Sequence, residues 1–342
     1  MLRKLGGAFA ALALVAAIKP ALAADAQMIE AAKKEGEVVW YTTLIVDQLV
    51  RPLVSEFEKK YGVKVVYFRA NASDLAIKVI NEAKAGRVQS DVADGTSTAV
   101  SLVKAGVIES WLPEIASTYP KHLVDPGKQW IATNLYVLTP GFNTQLVKKG
   151  TEPKTFADLL DPKWRGKLTW SSSVSSSGAP GFVGTVLAAM GEKDGIAYLK
   201  KLAEQKIVNR NVSAREVLDQ VIAGESAIAL QIFNHHTIIS AQQGAPSDWI
   251  PMEPATVNLQ TVSVVKNAIH PNAAKLLVDF MVSDEGQLIF QKVGYLPAQP
   301  RIPAQDPKLK PEGGNFEALY MNPAELDEKM PEWVKLFGEI FR

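Results

Sequence analysis

The chain has 342 residues, with 37 Lys and Arg, 36 Asp and Glu, and no cysteine. That length suits one large domain or two ordinary ones, and an apolar fraction of 47% excludes a disordered chain. The absence of cysteine excludes disulfides, thiolate metal sites and cysteine nucleophiles. No block rich in Lys or Arg occurs, so the sequence predicts no nucleic-acid partner.

The N-terminal segment, residues 1–23, has the pattern of a secretory signal peptide. Arg3 and Lys4 precede an apolar run from Leu5 to Ile18, and Ala21-Leu22-Ala23 supplies a small-residue cleavage site. Removing the segment leaves 34 basic and 36 acidic side chains, a net charge of −2. No later stretch is apolar for long enough to span a membrane. We therefore predict a soluble protein exported to the periplasm and cleaved after Ala23.

Strand and helix patterns alternate along the first part of the mature chain. Val38–Tyr41, Val63–Phe68 and Asp91–Asp94 have strand patterns, and each is followed by a helical pattern. This alternation predicts a parallel sheet whose ligands lie at the carboxyl ends of the strands. Polar residues after those ends are candidate ligand contacts, and they are Thr42, Thr43, Ser73, Thr96 and Ser97. The structural alternative for each of them is capping of a helix.

A serine-rich turn supplies a second group of candidates. Leu168 and Trp170 lead into Ser171–Ser177, where six of seven residues are serine, and a helical pattern follows to Met190. Serine hydroxyls and free helix N–H groups at one point favour an anion. The alternative is a flexible Ser/Gly linker. The candidate contacts here are Ser172, Ser173 and Ser177.

The alternation of strands and helices restarts after a long strand pattern at Trp130–Thr139, and a later strand pattern at Val257–Val265 leads back to the first unit. We predict two α/β lobes, with crossings near Ile131–Asn134 and Ala255–Leu259 as a hinge and the ligand cleft between them. The predicted first lobe is 24–132 plus 257–300, and the second is 133–256 plus 301–342.

A strand pattern that ends at Phe233 is followed by Asn234, His235 and His236. Adjacent side chains point to opposite faces of a strand, or about 100° apart on a helix, so the two histidines are poorly placed to bind one metal ion. A histidine donates to a phosphate or carboxylate, more strongly when protonated. We predict a ligand contact from this trio and no resident metal or cofactor. A structural role is the alternative, and a charged histidine would make binding weaken as the pH rises.

Five stretches resemble a known family, and in chain order they are Glu30–Gly36 before Val38–Thr42, Phe57–Val65, Asp91–Val92, Asp161–Lys167, and Ala274–Phe280 with Gly286–Gln287. Together they resemble extracellular solute-binding protein family 1, in the branch with ferric-iron, aminoethylphosphonate and sugar-phosphate receptors. The resemblance covers nearly all the mature chain. It implies the two-lobe α/β fold of type II periplasmic binding proteins.

The resemblance also implies a monomeric receptor that hands its solute to an ABC permease of the inner membrane. At the positions of Asn234, His235 and His236, the ferric receptors of this branch have a sequence that resembles Asn-Tyr-Tyr. Fe(III) favours oxygen donors over neutral imidazole. We therefore predict a small anionic organic solute, namely a phosphonate, a phosphate ester or a carboxylate. Ferric iron is the alternative, and it would require phenolates such as Tyr41 or Tyr136.

An enzyme is the rival class of protein. The sequence has no Gly-x-Ser-x-Gly elbow, His-Glu-x-x-His motif, P-loop or Gly-x-Gly-x-x-Gly loop. Without such a constellation we predict a binding protein with no catalytic residues, and a secreted hydrolase is the less favoured alternative.

Overall fold

The computed structural model describes residues 25–312 and 315–341. The predicted signal peptide, residues 1–23, lies outside the described residues. Over the ranges that are described, no helix combines the length and apolar character needed to cross a bilayer.

Helices and strands alternate along most of the chain. The helices are α1 (Ala26–Glu35), α2 (Arg51–Tyr61), α3 (Ala72–Lys84), α4 (Thr98–Lys104), α5 (Ala179–Met190), α6 (Glu192–Ala203), α7 (Ala214–Ile222), α8 (Asn234–Gln242), α9 (Pro271–Val282), α10 (Asp284–Lys292) and α11 (Pro323–Ile340). The strands are β1 (Glu37–Thr42), β2 (Lys64–Arg69), β3 (Val92–Gly95), β4 (Ile131–Asn143), β5 (Leu168–Ser171), β6 (Val208–Arg210), β7 (Ile228–Phe233), β8 (Ser247–Trp249), β9 (Ala255–Val264), β10 (Leu296–Pro297) and β11 (Ala318–Met321).

Local sequence signals set several helix ends. Ser213 and Glu216 form a reciprocal capping box at the start of α7, so each side chain accepts a backbone N–H that the helix leaves free. Asn322 accepts the N–H of Ala324 at the start of α11. Gly36 ends α1 in the left-handed conformation, with φ of 79°, which glycine adopts without steric cost.

The strands form a mixed sheet in the order β2-β1-β3-β9-β4-β7-β5-β6. At one end β1 pairs in parallel with β2 and β3, and at the other end β5 pairs in parallel with β6 and β7. Both parallel groups are connected through helices, as the alternating pattern predicted. The antiparallel pair β4 and β9 lies between the two groups.

The strands β4 and β9 run through both halves of the molecule. They pair antiparallel from Ile131 with Val262 to Leu138 with Thr256. On its other edge β9 pairs with β3, and on its other edge β4 pairs with β7. These are the two segments in which the sequence predicted crossings. The strand β4 continues past the predicted end at Thr139, because a shift in its register with β7 accommodates the proline that follows.

Two large apolar cores lie in the two halves. The core of the first lobe includes Trp40, Phe57 and Phe280, and that of the second lobe includes Trp170 and Phe182, each at most 1% exposed. Burying each such side chain contributes about 1.5–3 kcal/mol to folding. Separate cores explain how one chain makes two lobes, because each lobe covers its own sheet edge with its own helices.

Core membership differs from the predicted lobe boundary at residue 300. Ala304, Leu309 and Phe316 pack into the first core, whereas Met321 packs into the second. The chain therefore returns to the second lobe only at β11, because the apolar side chains of the intervening loop are buried in the core of the first lobe. The division into two moving bodies at the stated residues stays a prediction.

Candidate functional site

The carboxyl ends of β1 and β3 lie side by side and enclose the carboxylate of Asp94, which is 2% exposed. One oxygen, Oδ1, accepts the backbone N–H and the hydroxyl of Thr43, each at 2.8 Å. The same oxygen accepts Nε2 of Gln260 at 2.9 Å. The other oxygen accepts the indole Nε1 of Trp40 at 2.8 Å. Asp94 thus ties three chain segments together at the edge of the cleft.

Burial raises the pKa of Asp94 to about 6, because removal from water disfavours the carboxylate. Hydrogen bonds from Thr42, Thr43 and Trp40 oppose that effect by stabilising the charged form. With its oxygens already occupied by protein donors, Asp94 positions its neighbours rather than offering a free charge to a solute.

The predicted contacts after β1 are mostly engaged within the protein. Thr42 is fully buried, and its hydroxyl oxygen accepts the N–H of Leu44 at 3.1 Å. The hydroxyl of Thr43 donates to Asp94 and accepts Nε2 of Gln260 at 2.8 Å. The structure therefore brings Thr42 and Thr43 to the cleft edge with their hydroxyls already hydrogen-bonded.

The starts of α3 and α4 are adjacent, because the hydroxyl of Thr98 donates to the carbonyl of Ala72 at 3.4 Å. Thr96 and Ser97 are half-buried in the short turn between β3 and α4. Ser73 lies in the first turn of α3, and its side chain is exposed. The three predicted residues thus lie around a pair of helix N-termini, with Ser73 the least enclosed.

The serine turn joins β5 to α5 and is built from a chain of hydroxyls. The Oγ atoms of Ser171 and Ser173 are 2.7 Å apart, and Ser175 lies 3.1 Å from Ser173 and 3.4 Å from Ser177. Ser172 instead donates its hydroxyl to the carbonyl of Arg210 at 3.2 Å. Ser173 and Ser177 therefore share one hydroxyl network, which excludes a freely flexible linker, and Ser172 points to β6.

Two glycines let the serine turn fold onto the start of α5. A Cβ on Gly181 would lie 1.8 Å from the carbonyl oxygen of Ser176, and one on Gly178 would lie 2.2 Å from that of Ser173. The turn is also tied to β7, because Nε2 of Gln231 donates to the carbonyl of Ser176 at 3.1 Å. Within the described ranges, no side chain caps the N-terminus of α5.

Replacing Gly181 by Ala is expected to destabilise the protein by about 1–3 kcal/mol, because the added methyl group forces the backbone of Ser176 away from the helix. Urea unfolding at pH 7 measures the loss. Ala189→Gly, at an exposed position on the same helix, is the control and should cost about 1 kcal/mol through helix propensity alone. A Gly181→Ala variant no less stable than this control would show that the turn is not packed on α5.

The predicted trio after β7 forms the first turn of α8. Nδ2 of Asn234 donates to the carbonyl of Leu309 at 2.8 Å, which joins the second lobe to a loop of the first. The ring of His235 lies between those of Tyr136 and Tyr295, with centroids 5.9 and 5.3 Å away. Neither ring nitrogen of His235 has a hydrogen-bond partner among the residues that the structure describes.

Both histidines after β7 are buried, and burial determines their charge in this structure. Burial lowers the pKa of His236 to about 3, and it lowers the pKa of His235 well below its ordinary value. Repulsion from Arg215 lowers the pKa of both rings further, and His236 also lowers that of His235. Both imidazoles are therefore neutral at physiological pH, and a contact with an anion would be a neutral hydrogen bond.

A family model described as bacterial extracellular solute-binding protein matches residues 92–318, more than half of the chain. The chain belongs to this family. The family consists of binding proteins, which confirms the prediction of a binding protein rather than an enzyme. The protein is therefore a solute-binding receptor of the type that serves ABC importers, as the resemblance found in the sequence implied.

Two curated relatives cover most of this receptor. An uncharacterized protein from Haemophilus influenzae is 28% identical over 283 residues, which is 80% of each chain. The Fe(3+)-binding periplasmic protein of Serratia marcescens is 22% identical over 299 residues, covering 84% of this chain and 87% of the relative.

Solved structures share the fold. Iron-bound HitA from Pseudomonas aeruginosa superimposes with a TM-score of 0.74 at 22% identity, over 89% of this chain and 99% of that one. AfuA from Actinobacillus pleuropneumoniae, with fructose-6-phosphate bound, has a TM-score of 0.72 at 22% identity, over 90% and 98%. At this identity the likeness confirms the predicted two-lobe fold and no more.

The structure brings to the cleft polar residues that the sequence analysis did not select as contacts for an anion. Register pairs Asn134 with Gln260 and Tyr136 with Asn258, so these side chains share one face of β4 and β9. That face meets Asp94 through Gln260, and it meets Phe233 through Tyr136, whose ring centroids are 4.7 Å apart. The sequence pattern that could have identified them is a polar residue at every second position of an apolar strand, namely Thr256, Asn258 and Gln260 in β9.

The side chains that usually bind metals are spread apart in the part of the chain that the structure describes. Among residues 25–312 and 315–341, no group of three or more His, Asp and Glu side chains could hold a metal ion. The phenol of Tyr41 donates to Glu82 at 2.8 Å and is not available as a ligand. Burial raises the pKa of Tyr136 well above its ordinary value, which disfavours the phenolate that Fe(III) needs.

Proposed function

We propose that this receptor captures a small anionic organic solute, either a phosphonate, a phosphate ester or a carboxylate, between its two lobes. The observation that supports the proposal best is the uncapped N-terminus of α5 beneath the linked hydroxyls of the serine turn. A helix N-terminus offers free N–H groups and partial positive charge, worth about 0.3–1 kcal/mol to an anion and up to about 2 kcal/mol when partly buried.

The proposed contacts come from both lobes. Ser173 and Ser177 would face the anionic group from the second lobe, and neutral His235 would add a hydrogen bond through a ring nitrogen that lacks a partner among the described residues. The helix starts beside Ser73, Thr96 and Ser97 would approach from the first lobe. Closing the lobes about β4 and β9 would bring the two sides onto the solute.

Ferric iron is the second candidate function, and the Fe(3+)-binding relative from Serratia marcescens favours it. The chemistry of the cleft argues against it, because buried neutral imidazoles and phenols of raised pKa are poor ligands for a hard cation. An iron site in this chain would have to rely on a synergistic anion at the serine turn.

A thermal-shift screen of the mature protein, residues 24–342, separates the two candidates. We expect stabilisation by one or more of the phosphonates, sugar phosphates and carboxylates tested, by about 2.7 kcal/mol at a hundredfold excess over Kd. Because the histidines are neutral, the affinity for a carboxylate, which stays singly charged in this range, should not fall between pH 7 and 8. Stabilisation by Fe(III) salts alone, with a visible charge-transfer band, would refute the proposal.

Export to the periplasm and delivery to an inner-membrane ABC permease complete the proposed role. They follow from the signal-peptide pattern of residues 1–23 and from the family. Recovery of the expressed protein in the periplasmic fraction with Ala24 as its first residue is expected. Recovery in the cytosol with residues 1–23 retained would refute both the export and the receptor role.

A further inference from the structure

The side chains Thr256, Asn258 and Gln260 form a row on one face of β9, because alternate residues of a strand point the same way. On β4 the residues opposite them are Leu138, Tyr136 and Asn134. Buried Val257 and Leu259 lie between the members of the row in sequence and point to the other face. A polar row in two buried, lobe-crossing strands is unusual and requires hydrogen-bond partners.

Both ends of the row have partners, and these belong to different lobes. The hydroxyl of Thr256 contacts that of Thr185 on α5, in the second lobe. Nε2 of Gln260 donates to Thr43 and Asp94, at the edge of the first lobe. We call this face of β4 and β9 the cleft floor, because it connects the two lobes. Asn258 lies at its midpoint.

The middle of the row lacks partners. In the described part of the chain, neither Nδ2 nor Oδ1 of Asn258 makes a hydrogen bond, and Nδ2 of Asn134 lies beside the phenol of Tyr136 without a well-formed one. These side chains are only 1% and 0% exposed. An amide buried without partners costs free energy, and such groups in natural proteins call for a bound partner. Two unpartnered amides on the floor of a ligand cleft point to a molecule that enters it.

We propose that Asn134 and Asn258 form a hydroxyl-binding subsite, so that the solute of this receptor is an anion that also has hydroxyl groups. The inference rests on the proposed anionic solute and goes further by naming a second part of it. A side-chain amide has a donor and an acceptor side by side, and a hydroxyl likewise donates and accepts. A bare metal ion, or an inorganic anion without a hydroxyl group, would satisfy only one of the two atoms of Asn258.

The surroundings of the subsite fit a polyhydroxylated carbon skeleton. The rings of Tyr136 and Phe233, 4.7 Å apart, provide an apolar wall beside the amides. The anionic group would lie at the serine turn, on the same side as Thr185 of α5. Because Asn258 is buried, the solute reaches the subsite when the lobes separate and is enclosed when they close.

Calorimetry with matched pairs of probes tests the subsite. Glycerol 3-phosphate is compared with n-propyl phosphate, glycerate with propionate, and 2,3-dihydroxypropylphosphonate with propylphosphonate. In at least one pair we expect the wild-type receptor to bind the hydroxylated member at least about tenfold more tightly. Asn258→Leu should lose that preference while its affinity for the plain member stays the same, and Asn134→Leu should weaken the preference. The exposed change Asn81→Leu should leave it intact.

Each outcome has a distinct meaning. Equal affinity for both members of every pair that binds would overturn the hydroxyl-binding subsite and leave the anionic solute in place. A preference that survives in Asn258→Leu and in Asn134→Leu would also overturn it. If no probe binds, the proposed function fails and the subsite fails with it. The comparison in the wild-type protein decides the matter even if a variant does not fold.

Discussion

Lowering the pH from 7 to 5 is expected to cost the wild-type protein about 2 kcal/mol more stability than it costs a His236→Gln variant. The pKa of His236 is about 3 in the folded protein, against an ordinary value of 6.5. A group with a lowered folded-state pKa gives stability that is complete above the unfolded pKa and is lost as the pH falls. Each pH unit below 6.5 therefore costs about 1.4 kcal/mol. His235 acts in the same direction.

The comparison between variants isolates the histidine, because Asp94 and Asp279 act in the opposite direction. Burial raises the pKa of each carboxyl to about 6, so their contribution to stability rises as the pH falls from 6 toward 4. Urea unfolding at pH 7 and pH 5 gives the two free energies. His122→Gln is the control: burial lowers the pKa of this more exposed histidine less than that of His236, so the variant should differ from the wild type by less. An identical pH dependence in His236→Gln would show that His236 is not buried as a neutral ring.

Replacing Asp94 by Ala is expected to cost about 2–4 kcal/mol of stability at pH 7, because its hydrogen-bond donors stay buried without their acceptor. The change leaves the indole of Trp40 and the N–H of Thr43 without an acceptor, and Gln260 keeps only its hydrogen bond to the hydroxyl of Thr43. Each buried donor without a partner costs about 1–3 kcal/mol. Binding of the solute should also weaken, because Thr43 and Gln260 lose the group that orients them at the cleft.

Asp94→Asn is expected to fall between Asp94→Ala and the wild type. The asparagine keeps one acceptor oxygen, but its NH₂ group then faces either Trp40 or the donors from Thr43 and Gln260. Asp74→Ala, at an exposed position in the first turn of α3, is the matched control and should cost less than about 1 kcal/mol. If Asp94→Ala proves no more costly than Asp74→Ala, the network around Asp94 does not stabilise the fold.

The sequence predicted the serine turn well, because the residues that determine this turn are close together in the chain. Six serines, two glycines and Pro180 lie within a dozen residues, and both the turn and the start of α5 follow from them. The same is true of the capping box at Ser213, where the two partners are three residues apart. The sequence also predicted the two lobe-crossing strands, since their apolar patterns are continuous.

Asp94 shows what a local pattern cannot predict. Its amide donor Gln260 is 166 residues away in sequence and its indole donor Trp40 is 54 residues away. Sequence alone placed Asp94 at a strand end, but the register of β3 on β9 determines which side chain it meets. Asn258 was missed for the same reason, because an isolated polar residue in an apolar strand has no significance until its face is known.

The amino-acid sequence by itself determined the receptor family, the alternating elements, the crossing strands and the serine turn, since each depends on short-range periodicity or on a contiguous motif. Only the tertiary structure decided the charge of the histidines and the composition of the cleft floor. Burial by Tyr136 and Tyr295, from distant parts of the chain, makes His235 neutral, and strand pairing places Asn134 and Asn258 on one face. Desolvation and register are long-range properties, so they exist only once the chain has folded.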